Sequence, residues 1–227
     1  MRHPLRKLLC AAALGLATLA AGSFSHVRTA EAFPKPSVYP VAWQLKFTHG
    51  VPKRIVVTAP GSNEPKAYWY MTFTVMNLTE EEQRFLPVFE LVTSDGTVVR
   101  SDRNIPVNVF DEVRRRERNK TIEPLERVTG RLLIGEDQAR DSVAIFPEPT
   151  TRMGTFQIFV GGLSGETITL KNGEEFKVTD WTKVSDEDRK GLTFLRKTLQ
   201  LTYQIPGDEI RPEEDQVIAK GEEWVMR

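Results

Sequence analysis

Past residue 40 the chain alternates apolar and polar residues with a period of two over most of its length, the signature of strands that bury one face. In "VAWQLKFTH", Val41, Trp43, Leu45 and Phe47 fall on one side and Gln44, Lys46 and Thr48 on the other. In "TLQLTYQI", Leu199, Leu201, Tyr203 and Ile205 oppose Thr198, Gln200, Thr202 and Gln204. A slip of one residue would turn either apolar set out to water, so both registers are firmly specified. Further strands are predicted at "RIVVTA", "FLPVFELVT", "TVVRS", "RVTGRLLIG", "SVAIFP", "TFQIFVGGL", "TITLK", "EFKVT" and "EWVMR". Residues 85–92 and 131–134 are apolar at both parities, which predicts strands covered on both faces. "SDGT" at 94–97 and "KNGE" at 171–174 supply the Asp-Gly and Asn-Gly pairs that accept the positive φ angles of tight hairpins.

One segment breaks the period. In "NIPVNVFDEVRRRERNK", Val109, Phe110 and Val113 recur at helical spacing, with Asn104 as a candidate cap and Pro106 suited to a first turn. Asp111 and Glu112 precede Arg114, Arg115, Arg116 and Arg118, an order that suits the helix dipole. Asp111/Arg115 and Glu112/Arg116 stand four residues apart as potential ion pairs. Many short strands, tight turns and one short inserted helix predict an all-β, mainly antiparallel sandwich.

The stretch "YWYMTFTVMN", residues 68–77, places Trp69, Met71, Phe73 and Val75 on one face and Tyr68, Tyr70, Thr72, Thr74 and Met76 on the other. The first set is expected in the core. The second begins aromatic and turns to threonine, which predicts a half-exposed sheet surface carrying two rings. Such tyrosines either pack across strands or stack on a sugar, so Tyr68 and Tyr70 are the candidate binding residues.

The first residues change the picture of where the chain resides. Arg2, Arg6 and Lys7 precede the apolar "LLCAAALGLATLAAG", and Ala30-Glu31-Ala32 follows, the layout of a secretory signal peptide over residues 1–32. Its apolar middle is short of the roughly 20 residues a membrane-crossing helix needs, so no membrane insertion is expected after cleavage. Cys10 stands at the start of the apolar stretch rather than after small residues at its end, which is the wrong place for a lipid-modified cysteine. Cleavage after Ala32 leaves residues 33–227 as a single elaborated domain with no cysteine and with His49 as its sole histidine. Disulfides are then absent despite export to an oxidising space. Of 31 basic and 31 acidic residues the leader holds Arg2, Arg6, Lys7, Arg28 and Glu31, leaving 27 basic against 30 acidic. That balance gives no global attraction to nucleic acid or anionic lipid.

Candidate chemistry is sparse. A zinc site or a Ser-His-Asp arrangement would have to run through His49 alone, and Gly161, Gly162 and Gly165 belong to a turn between strands rather than a phosphate loop. Glu136, Asp137 and Asp141, and likewise Asp186, Glu187 and Asp188, gather oxygen ligands without the spacing of a calcium loop. Asn77-Leu78-Thr79 and Asn119-Lys120-Thr121 match the glycosylation sequon. A carboxylate pair acting on a glycoside leaves no local motif and stays open. No catalytic residue, cofactor or metal site is expected.

"AYWYMTFTVMNLTEEEQRFLPVFELVTSDG", with "FPKPSVYPVAWQLKF" before it and "FQIFVGGLSGE" after it, resembles the strand pairs of exported bacterial immunoglobulin-like domains. The resemblance implies an immunoglobulin-like β-sandwich and no particular activity. The expected function is a non-enzymatic structural or protein-binding role in the periplasm or outside the cell, with a protein or glycan of the cell envelope as partner. The alternative is a carbohydrate-active protein, either a sugar-binding module or a carboxylate-dependent glycosidase. The mature chain is expected to begin at Phe33. N-terminal sequencing of exported protein checks this, and a start at Met1 in the envelope fraction would identify an uncleaved anchor.

Overall fold

The computed structural model describes residues 34–101, 103–150, 153–206 and 216–227. The leader and the segment 207–215 therefore lie outside the described residues. The strands, in chain order, are β1 (Lys46–His49), β2 (Lys53–Thr58), β3 (Pro65–Met76), β4 (Gln83–Phe85), β5 (Val88–Thr93), β6 (Val98–Arg100), β7 (Gly130–Leu132), β8 (Arg140–Pro147), β9 (Thr155–Gly161), β10 (Thr167–Lys171), β11 (Glu174–Glu175), β12 (Leu192–Gln204) and β13 (Ile218–Met226). Helix α1 spans Val107–Glu117, and two single-turn helices follow, α2 (Leu125–Val128) and α3 (Asp186–Arg189). Among the described residues no helix is long and apolar enough to cross a membrane.

Two antiparallel sheets pack face to face, each organised by one long strand. In the first, β1 and β2 pair with β3 over successive stretches, Phe73–Met76 and Pro65–Tyr70, while β8 pairs with β3 from Tyr68 to Val75. In the second, β12 pairs with β10 over its first half, with β9 over its second half, and with β13. Strands β5 and β6 extend this sheet beyond β9 and β11 extends it beyond β10. The shared core joins Trp69, Met71, Phe73, Val75 and Phe146 of the first sheet to Phe89, Leu91, Phe156, Ile158, Val160, Leu201 and Tyr203 of the second. This is the all-β sandwich that the period-two pattern predicts. The Asn-Gly hairpin also forms: Asn172 (φ 54°) and Gly173 (φ 87°) join Lys171 directly to its partner Glu174.

Tyr68 and Tyr70 do not lie on a half-exposed face, since they are 4 % and 1 % exposed. Helix α1 covers that face, and Val109 and Val113 join Ile55, Tyr68, Tyr70, Ile122, Val143 and Ile145 in a second, smaller core. Residues 68–71 of β3 are thus buried on both sides. Period two locates a strand's faces but says nothing of what a helix from elsewhere in the chain lays over them.

Residues 85–92 and 131–134 are the converse. Leu86, Val88, Leu133 and Ile134 are exposed, so these segments are covered on one face only. Strands β4 and β7 pair as a separate two-stranded ribbon that inserts Phe85 and Leu132 into the main core and leaves their neighbours outside. The segment "RVTGRLLIG" also begins as helix α2 after Pro124, which seats Val128 in the core, and becomes strand only at Gly130.

Helix α1 starts later than expected. Asn104 adopts a left-handed conformation (φ 59°) three residues before the first helical residue, and Pro106 occupies the cap position without a side-chain hydrogen bond. The residue before a proline is biased to extended backbone, so the turn forms beyond Pro106. The side-chain pairs are Asp111–Arg114 and Glu112–Arg115, three residues apart rather than four.

The N-terminal segment closes the sandwich. Strand β1 begins at Lys46; before it, Leu45 N–H donates to Leu163 O (2.8 Å) and Trp43 O accepts from Gly165 N–H (3.0 Å), so the segment crosses from the second sheet to the first. A Cβ on Gly165 would stand 2.5 Å from the Trp43 indole nitrogen, hence glycine. Further back, the Ser37 amide donates to Glu166 Oε1 (2.7 Å), whose other oxygen meets Lys197 Nζ at 3.1 Å in a buried ion pair. Burial raises the Glu166 pKa, but the Ser37 and Lys197 contacts outweigh it and hold the carboxyl below its ordinary value.

Truncating Trp69 or Tyr70 to alanine should each cost about 3–5 kcal/mol, because both rings are removed from buried sites. Tyr70→Phe, which loses only a hydroxyl bonded to a carboxylate, should cost about 1–3 kcal/mol. Denaturant unfolding checks all three. An unchanged midpoint for Tyr70→Ala would mean that α1 does not cover β3.

Candidate binding cleft

An open cleft of about 570 Å³ lies where β2, the start of β3 and the end of β8 meet, and Arg54, Lys66, Tyr68, Asn104, Pro147 and Glu148 help to line it. Pairing puts these residues together. Tyr68 stands opposite Ile55 on one neighbour and Pro147 on the other, and the Glu148 amide donates to Ala67 O (3.2 Å), which carries the β8 chain past its last paired residue. Arg54 donates to Glu148 through Nε (2.6 Å) and Nη2 (3.2 Å), a two-pronged contact that ties β2 to β8 across β3. Ala67, the residue of β3 paired with Val56, presents only a methyl group under this bridge.

The two candidate tyrosines part ways here. Tyr68 lines the cleft, and its hydroxyl makes no hydrogen bond with a described residue. Tyr70 does not line it. The Tyr70 hydroxyl donates to Glu117 Oε1 (2.6 Å), and Lys53 Nζ reaches both oxygens of the same carboxylate (2.8 and 3.0 Å). Burial, with the bond to Glu117 adding to it, pushes the Tyr70 phenol well above its ordinary pKa. Glu117 moves the other way: burial raises its pKa, but the bonds from Lys53 and Tyr70 outweigh that and hold it low. Tyr70 is therefore a fastener between β3 and the end of α1, and of the two only Tyr68, itself nearly buried, borders the cleft.

Chemically the cleft offers an ammonium (Lys66), a phenol hydroxyl, the Asn104 amide and proline rings, with Glu148 as its carboxylate and that carboxylate already gripped by Arg54. The set suits hydrogen bonding to a polar ligand with apolar contact beside it. Sequence reasoning does not find Arg54, Lys66 or Glu148, because Arg54 and Glu148 are 94 residues apart and neither belongs to a motif.

Asn77 is fully buried; its Nδ2 donates to Glu81 O (2.8 Å) and Leu132 O (3.2 Å), and its Oδ1 accepts from Thr79 N–H (3.0 Å) and Oγ1 (2.7 Å). Asn119 Oδ1 is held in the same way by Thr121. Asp141 accepts from Thr74 (2.7 Å) and Thr121 (2.6 Å), and Asp188 accepts from Lys171 (2.6 Å) and Ser185 (2.7 Å). His49 lies between Tyr203 Oη (3.3 Å from Nδ1) and Glu222 Oε2 (3.4 Å from Nε2), joining β1 to β12 and β13. Among the described residues no three His, Cys, Asp or Glu side chains converge as a metal-ligand set.

No protein-family model, curated protein or solved structure matches the chain.

Glu148→Gln weakens the grip on a largely buried guanidinium and should cost about 3 kcal/mol or somewhat less, as loss of one partner of a buried ion pair does. Tyr68→Phe should leave the unfolding midpoint within about 0.5 kcal/mol of the parent. A large loss for Tyr68→Phe would show that its hydroxyl holds the fold together and does not serve the cleft.

Proposed function

We propose that the protein is an exported, non-enzymatic β-sandwich of immunoglobulin-like kind with a protein-binding role in the periplasm or outside the cell. The observation that carries this reading is an aromatic pair standing out of the core. Trp181 and Phe194 are 44 % and 52 % exposed, with ring centroids 5.8 Å apart. Phe194 belongs to the first half of β12, which pairs with β10 beyond the pairing with β9, and Trp181 lies in the connection between β11 and α3. Exposed Lys183, Arg189 and Arg196 lie near them in sequence. Large rings bordered by charge are the composition of a protein contact surface, with an apolar centre and a polar rim. The signal-peptide layout of residues 1–32 supports export.

A sugar-binding role is the alternative, and the Tyr68 cleft favours it, because a free phenol hydroxyl beside an amide and an ammonium suits a hydroxyl-bearing ligand. The two readings separate in one comparison. Cross-linking in intact cells should give a partner adduct that Trp181→Ser/Phe194→Ser abolishes while the unfolding midpoint stays put. An adduct that survives this double substitution rules out the aromatic pair as the contact. Retention on an envelope glycan that Tyr68→Phe abolishes, at an unchanged unfolding midpoint, would favour the sugar-binding reading instead.

A further inference from the structure

A second cleft, of about 590 Å³, opens on α1 and the turn that follows it, lined by Asp111, Arg114, Arg115, Arg118, Asn119 and Lys120. Positions 111, 114, 115 and 118 are spaced three, one and three residues apart, which gathers them on the side of the helix opposite the buried Val109 and Val113. Arg118 caps the helix in a left-handed conformation (φ 52°), and the chain then brings Asn119 and Lys120 to the same cleft.

The lining holds four cations and one carboxylate, a net of +3 in a chain whose residues 33–227 carry 27 basic and 30 acidic side chains. Helix geometry explains part of this. Arg114 and Arg115 sit near the negative end of the helix dipole and have partners in Asp111 (3.8 Å) and Glu112. Arg118 and Lys120 lie past the last turn and make no ion pair or hydrogen bond with any described residue. Asn119 is a structural part of this wall rather than a free donor: Thr121 N–H (2.9 Å) and Oγ1 (2.6 Å) both bond its Oδ1, and its side chain also bonds Asp141. The helix C-terminus itself opposes an anion with only about half an elementary charge, less than the side chains supply.

We propose that this cleft binds a ligand bearing two adjacent phosphate groups. Arg114 and Arg115 stand about one helical turn or 5–6 Å before Arg118 and Lys120, and the long side chains of both pairs can converge on the two phosphates. Guanidinium forks match phosphate oxygens two at a time, and the lysine adds a point charge. The two phosphates can belong to one soluble molecule or to two neighbouring phospholipid headgroups, and the guanidinium–phosphate chemistry of recognition is the same.

Titration calorimetry of the full chain with pyrophosphate at low ionic strength tests the site. Arg118→Gln/Lys120→Gln, confined to exposed and unpaired side chains, should weaken pyrophosphate by about tenfold or more. Lys177→Gln/Lys220→Gln, exposed lysines remote in sequence, should change it less than about twofold. Thermal midpoints equal to the parent's confirm that both variants are folded. Absence of pyrophosphate binding by the parent chain, or equal weakening in the two double variants, overturns the proposal. Co-sedimentation with vesicles of phosphatidylglycerol and phosphatidylcholine that pyrophosphate competes away supports it and assigns a headgroup source. Pyrophosphate binding without co-sedimentation supports it and assigns a soluble one.

Discussion

The two-sided burial of β3 is the constraint from which the rest of the architecture follows. Trp69, Met71, Phe73 and Val75 face the opposing sheet while Tyr68 and Tyr70 face α1, so no side chain from 68 to 71 can be moved without disturbing one core or the other. A strand in that position needs pairing on both edges as well, because its amide groups have no water to turn to. Strand β8 supplies one edge, and the β1–β2 pair, broken at Gly50 to Pro52, supplies the other. The Gly50 amide bridges the break by donating to Thr72 O at 2.8 Å.

Helix α1 solves two problems at once. Besides covering Tyr68 and Tyr70, it guards the outer edge of β2, where Arg116 Nη1 donates to Arg54 O (2.7 Å) and Asn108 Nδ2 donates to Thr58 O (3.0 Å). Carbonyls that would otherwise invite another strand are thereby occupied. The Glu117 cluster with Lys53 and Tyr70 fixes the end of the helix against the same sheet. The basic residues on its opposite side are then held in place by the packing beneath them.

How much of this is legible in the sequence differs from element to element. The core face of β3 and the alternation of β12 can be read directly, because burial against the opposing sheet imposes period two. The face carrying Tyr68 and Tyr70 cannot, since its cover comes from residues 107–117 and the tyrosine hydroxyl that would betray it meets Glu117, 47 residues away. The double-parity runs at 85–92 and 131–134 mislead for a related reason: a short ribbon such as β4–β7 anchors itself with Phe85 and Leu132 and tolerates apolar neighbours in water. Of the cleft, Tyr68 is visible as part of an aromatic run, whereas Arg54 and Glu148 acquire meaning only once β2 and β8 flank the same strand.

The environment of Asn77 bears on how the protein can be made. Its Nδ2, the atom to which an oligosaccharide would be attached, is enclosed and already divides its two hydrogens between Glu81 and Leu132. Attachment there would remove a donor and require room that the interior lacks, at the point where the chain leaves β3 and Gly135 bonds back to Asn77 O. A glycosylating secretory pathway meets this sequon before the chain has folded, so passage through one would turn a structural keystone into an obstacle. A bacterial host keeps the side chain free to perform its bonding role, whereas removing the sequon at Thr79 would also remove the Oγ1 bond to Asn77 Oδ1.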